Sequence, residues 1–358
     1  MTVIPLPKRT PASRRCRSTY WRVLTGGLGA AALLTLGFPT VATGQAQPTC
    51  FGRPATITGA GTINGTPGDD VIVGSAGADT IDGGGGNDRI CSLGGDDTVS
   101  GGVGDDQIDG GSGNDFLIGD VLATTGNANG GGNDRIFGRD GDDNSAGDSF
   151  AVNGNASGGG NDFIDGGPGN GILSGDSASV TGDATGAGDD TILGGLGGEL
   201  LIGDGSAARN TSGSGGDDRL DLGPDGGVVA IGDHNINSPQ GGRAAGAGTD
   251  RVTGGSGADI LVGDSSVVDA SQTSARSDVL QGRGGNDTLF GDNADFDVTR
   301  TVGTAGGDDA LFGGDGADTL RAGPRNDFLD GGPSAPDNCD GEAGIDIAIR
   351  CEITRGIP

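Results

Sequence analysis

An all-β solenoid of stacked parallel coils is the fold this sequence predicts, and three observations predict it. Asp70, Asp79, Asp88, Asp97, Asp106 and Asp115 recur every nine residues without a slip. Each stands in one frame: small residues, mostly glycine, then aspartate, one variable residue and an aliphatic, as in Gly101-Gly102-Val103-Gly104-Asp105-Asp106-Gln107-Ile108-Asp109. After Ile118 the spacing lengthens, but the Asp-x-aliphatic core of the frame persists. A short fixed period means units that bury their apolar side only against neighbouring units. Stacking them also stacks their aspartates one strand spacing apart, ~4.8 Å. Such a column repels itself unless cations lie between its members. The period therefore predicts a ligand as well as a fold.

The frame, written G-G-x-G-x-D-x-U-x with U aliphatic, resembles the calcium-binding nonapeptide of the RTX (hemolysin-type) family. The resemblance runs from about Gly65 to Gly332. It implies a right-handed parallel β-roll with two short strands per coil and Ca²⁺ between stacked turns.

Residues 1–46 read as a secretory signal. They hold six basic residues and no acidic one, then an apolar stretch from about Val23 to Val41, then the small-residue site Gly44-Gln45-Ala46. An uncleaved anchor is the alternative, disfavoured by the glycines and proline that break the apolar run. Residues 47–64 are expected to be an N-terminal cap. Residues 65–118 form the regular block, in which a coil is two nonapeptides. Residues 119–330 form a second block. There a Gly-Asp pair recurs at Asp120, Asp148, Asp176, Asp204, Asp233, Asp264 and Asp292, mostly 28 residues apart. One 28-residue unit is taken as one coil, lengthened on one edge only and keeping two strands. Three strands per coil is the alternative. Residues 331–358 are expected to be a C-terminal cap. Cys50 is paired with Cys91 and Cys339 with Cys351, one staple at each end of the stack, with a four-cysteine metal site as the alternative.

Two edges follow. One carries Asp70, Asp88, Asp106, Asp134, Asp162, Asp190, Asp218, Asp250, Asp278, Asp309 and Asp327. The other carries Asp79, Asp97, Asp115 and Asp143, then Gly171, Glu199 and Gly227, then Asp259, Asp287 and Asp318. These eighteen aspartates are the candidate metal ligands. The middle of the second edge is expected to bind weakly. The Gly-Asp aspartates form a third column, open to two readings: a further ion row, or turns that cap the strand.

The ligands on offer are carboxylates and glycine carbonyls, hard oxygen donors that suit the flexible six- to eight-fold shell of Ca²⁺ better than the tight octahedron of Mg²⁺. One histidine and four paired thiols leave little for zinc. The competing reading makes the aspartates turn formers, but turns alone do not need aspartate at one phase eleven times. One large aliphatic per nine residues buries too little to offset the entropy of ordering them, so folding is expected to be coupled to several Ca²⁺ ions.

Composition excludes other classes. Beyond residue 46 the chain holds 15 basic against 50 acidic residues. That charge opposes association with nucleic acid or anionic lipid. No tryptophan or tyrosine follows residue 46, so aromatic platforms for sugars or bases are missing. His234 is expected in a surface loop, and no nucleophile–base set is evident. The loop positions show no flat row of Thr or Asn of the kind ice recognition needs. The reading is a secreted, non-enzymatic calcium-binding repeat protein. The alternative is a calcium-dependent adhesin or matrix protein that contacts cell-surface or matrix components through its long loops.

Overall fold

The computed structural model describes residues 46–226, 228–334 and 336–358. Nearly all of the expected export signal, and Gly227, lie outside the described residues. The rest is built from short parallel strands, with one 3-10 turn at Ala270–Gln272 and no α-helix among the described residues.

Two 13-stranded sheets run the length of the stack. One starts at Ile57–Thr58 and ends at Ile347–Ile349; the other starts at Thr62–Thr66 and ends at Ile353–Arg355. Twelve steps of ~4.8 Å make the stack about 58 Å long. The register gives the coil length directly. Ile72 pairs with Ile90 and Ile90 with Ile108, steps of eighteen residues. Ile108 then pairs with Ile136, Ile136 with Ile164 and Ile164 with Ile192, steps of twenty-eight.

The aliphatic position points inward from both sheets. It makes a single core file including Ile72, Ile108, Leu117, Ile164, Leu201, Leu261, Leu289 and Leu329, each at most 1% exposed. Ser145 interrupts it between Leu117 and Leu173, buried and with no hydrogen-bond partner for its hydroxyl.

The lengthened turns differ from the expectation of two strands per coil. That count holds in the short coils. In the long coils the turn adds two more parallel ladders of two-residue strands. A seven-stranded ladder runs from Leu122–Ala123 through Phe150–Ala151 and Ala178–Ser179 to Ala294–Asp295. A five-stranded ladder joins Ala128–Asn129, Ala156–Ser157, Ala184–Thr185, Thr211–Ser212 and Ala244–Ala245. The cause is backbone satisfaction. A turn about ten residues longer must find partners for its N–H and C=O groups, and an identical turn one coil away supplies them in register.

The ends also differ from the expected caps. Ile57–Thr66 and Asn338–Arg355 already belong to the two long sheets. Outside them lies a small antiparallel pair, Thr49–Cys50 with Arg53–Pro54. Disulfides join Cys50 to Cys91, across 41 residues, and Cys339 to Cys351, across 12. The first ties the terminal antiparallel pair to the third strand of one long sheet, and the second ties the last two coils together.

Candidate metal centre

Every candidate aspartate on the first edge sits at the start of a strand of the first long sheet, where the glycine-rich turn enters it. Their carboxylates are buried, from 7% exposed at Asp70 to 1% at Asp88, Asp106, Asp134, Asp190 and Asp278. A single bonding rule links them. The backbone N–H of each aspartate donates to Oδ1 of the aspartate one coil later: Asp70 to Asp88, Asp88 to Asp106, Asp106 to Asp134, Asp134 to Asp162, and on through Asp190, Asp218, Asp250, Asp278, Asp309 and Asp327, at 2.6–2.9 Å. On the second edge the rule joins Asp79, Asp97, Asp115 and Asp143, then Asp259, Asp287 and Asp318.

This bonding uses one carboxylate oxygen and frees the other. Oδ2 of Asp88, Asp97, Asp106, Asp115, Asp134, Asp143, Asp162, Asp190, Asp218, Asp250, Asp278, Asp287, Asp309, Asp318 and Asp327 is buried with no hydrogen-bond partner. A row of buried acceptors without donors is costly unless something else supplies positive charge. The donor set is all oxygen, which fits Ca²⁺.

The frame's first glycine makes room for this oxygen. A Cβ on Gly101 would come within 2.3 Å of Asp106 Oδ2 and 2.1 Å of the Gly119 carbonyl. On Gly147 it would come within 2.1 Å of Asp162 Oδ2 and 1.7 Å of the Gly175 carbonyl. Real Cβ atoms do not approach so closely, so only glycine fits beneath the carboxylate.

Burial pushes the carboxyls up. Asp88 rises to about 6 and Asp106 to about 7, each chiefly through burial. In the long coils Asp134 rises to about 8 and Asp162 to about 11, through burial and then neighbouring carboxylates. Without a cation the long-coil carboxyls Asp134 and Asp162 favour the protonated form at neutral pH.

On the second edge Gly171 supplies no carboxylate. Glu199 differs: its carboxyl is 3% exposed, both oxygens lack partners, and burial lifts it to about 7. The arginines that pair well do so elsewhere: Arg139 with Asp109, Arg283 with Asp221 and Arg350 with Asp330.

Four features escape the sequence reading. Asp337 and Asp346 continue the two edges, accepting from Asp318 and Asp327. The frame Gly344-Ile345-Asp346-Ile347-Ala348 signals the second of them. The exposed residue before each edge aspartate forms its own ladder: the N–H groups of Asn87, Asn133, Asn161, Asp189 and Asp217 donate to the side chains of Asp69, Asp105, Asn133, Asn161 and Asp189. The recurring Asn-Asp and Asp-Asp pairs are its signal. His234 is not in a surface loop but fully buried, accepting from the Gly205 N–H at 3.3 Å and lying 3.7 Å from Asp204. It occupies the column that holds Ser149, Ser177 and Ser265 in other coils; burial lowers its pKa against the pull of Asp204. Lastly, the Gly-Asp column is entirely buried, every member 0% exposed.

A parallel β-roll with carboxylate-lined edges is therefore the class of protein that fold and site define. Segments 57–90, 92–121, 130–151, 157–177, 244–266, 271–295, 304–335 and 312–348 match the family model described as RTX calcium-binding nonapeptide repeat (4 copies). These matches take in more than half of the chain, which belongs to that family. The unmatched interval 178–243 holds the Glu199 and Gly227 positions, where the second edge loses its aspartate. No curated protein matches the chain.

Proposed function

We propose that this chain is an exported, non-enzymatic calcium-binding repeat protein whose fold is completed by several Ca²⁺ ions along its two edges. The eighteen edge aspartates would hold them, fifteen of them through a buried Oδ2 that no hydrogen bond uses. The observation that carries the reading is the row of buried Oδ2 atoms without partners. Bound Ca²⁺ would supply the positive charge that these oxygens lack. The residues themselves fix the spacing, exclude water and present the carboxylates. Export is supported by the basic-then-apolar start of the sequence and by two disulfides. The second edge near Gly171 is expected to bind least. We add Asp337 and Asp346 to the ligand set on their place in the same bonding rule.

An adhesive use has one observation in its favour. A cavity of about 300 Å³ opens on the long coils between the second long sheet and the seven-stranded ladder, lined by Phe116, Phe150, Ile172, Val180 and Leu200. Apolar surface of this kind suits a macromolecular contact.

Calorimetric titration of the EDTA-treated protein tests the main reading. Several Ca²⁺ ions per chain, with Mg²⁺ failing to compete at equal concentration, is the expected result. No heat and no retained Ca²⁺ would overturn it.

A further inference from the structure

We propose that the long coils hold a second class of Ca²⁺ site, formed by three buried carboxylates apiece: Asp120, Asp134 and Asp148 in one, Asp148, Asp162 and Asp176 in the next. The proposal rests on the calcium reading above and separates the long coils from the short ones.

The Gly-Asp column occupies a position that is glycine in the short coils. The Gly102 N–H donates to the Asp120 carbonyl one coil later, and the Asp120 N–H to that of Asp148. Gly102 there has a positive φ of 109° and brings no carboxylate. In the long coils the turn departs sideways at this point, and the residue becomes aspartate. Its carboxylate interleaves with the edge file. In each triad one oxygen from every member lies within 4.8 Å of the others.

An acidic cluster alone would carry no weight. These five carboxylates are at most 3% exposed, and each has at least one oxygen without a hydrogen-bond partner. Neither oxygen of Asp120 has a hydrogen-bond partner, and Oδ2 of Asp134, Asp148, Asp162 and Asp176 has none. Short backbone bonds reach only Oδ1 of Asp134 and Asp162, as in the rest of the edge file, and the Gly-Asp column receives only long ones, from the Gly132 N–H to Asp148 at 3.2 Å and the Gly160 N–H to Asp176 at 3.4 Å. The five-stranded ladder closes over the column from outside. A Cβ on Gly130 or Gly158 would stand 2.8 or 3.0 Å from the Cβ of Asp120 or Asp148. Mutually close carboxylates in a dry site are costly unless a cation holds them. Charge balance sets the count. Each long coil brings two carboxylates to this edge, one from each column, and one divalent cation per coil neutralises them. All donors are oxygen, so the ion class is Ca²⁺ and not a softer metal.

Crystals of the intact protein grown in CaCl₂ and measured at a wavelength that reveals calcium anomalously provide the test, together with Ca²⁺ retained per chain by elemental analysis. Expected are peaks at the Asp148 carboxylate in both triads, in addition to peaks along the short-coil edges, and a loss of two ions per chain in Asp148→Asn. Peaks along the short-coil edges with none at Asp148, or an unchanged ion count in a folded Asp148→Asn, would overturn the triads and leave the calcium reading standing. No bound Ca²⁺ anywhere would overturn both. If Asp148→Asn does not fold, the native map decides.

Discussion

The short coils and the long coils share one frame yet bury their charge differently. In residues 57–118 each edge receives one carboxylate per coil, and Asp88 and Asp106 rise to about 6 and about 7. In the long coils the first edge receives two, roofed by extra ladders, and Asp120 and Asp134 rise to about 9 and about 8. Burial is the first cause in every case. Ten added residues per turn contribute mostly Ala, Ser and Gly, so they add little apolar core. What they add is cover. The comparison teaches that a turn insertion can add a second buried carboxylate per coil to a row that is already buried, raising dependence on a cation.

The largest expected effect is therefore the pH response of the metal-free protein. A carboxyl whose pKa is raised by folding stabilises the fold fully below its unfolded value, near 3.8, and that contribution is lost as pH rises through the folded value. For Asp88 and Asp106 the loss ends near 6 and 7; for Asp134 and Asp120 it continues to about 8 and 9. Without metal, the long coils should lose amide protection between pH 5 and 9 to a greater extent than the short coils. Hydrogen exchange in EDTA, corrected for intrinsic rate, reads this; equal loss in both regions would break the comparison. With Ca²⁺ the trend reverses, since ion binding needs the ionised form.

Next in size is Gly147→Ala. Its methyl has no room beside the Gly175 carbonyl and Asp162, so a cost of about 4 kcal/mol or more is expected. Gly68→Ala, with nothing near its Cβ, should stay within about 0.5 kcal/mol. Urea melts of both in saturating Ca²⁺ make the check. Opening the Cys339–Cys351 bridge by a double Cys→Ser change should cost about 3 kcal/mol, felt as fraying of the last coils and not of residues 57–118. Exchange of the Ile347–Ile349 amides measures it. The smallest effect is Ser145→Ala, which removes a buried hydroxyl without a partner and should raise stability by about 1 kcal/mol, visible as a higher Tm.

What could be read without coordinates follows the same division. The edge aspartates and the aliphatic file are legible because stacking forces one residue type onto one phase. Ile72, Ile90 and Ile108 are partners in the sheet because they are eighteen residues apart. The ladders of the long turns were not legible. Their strands are two residues long, and their inward side chains are Ala128, Ala156 and Ala184, too small to stand out as an apolar pattern. The 28-residue recurrence of those alanines was the available signal. Asp337 and Asp346 escaped because one added residue makes the last step nineteen instead of eighteen. His234 was misplaced because a polar residue in a long loop reads as exposed, whereas here it replaces a buried serine in a stacked column.

The central claim, that cations complete the roll, is tested most directly by far-UV circular dichroism of the EDTA-treated protein at neutral pH during Ca²⁺ titration, with Mg²⁺ as control. The account predicts a coil-to-β transition driven by Ca²⁺ and not by Mg²⁺. A β spectrum that is already complete in EDTA and unmoved by Ca²⁺ would contradict it, and the aspartates would then serve the turns alone.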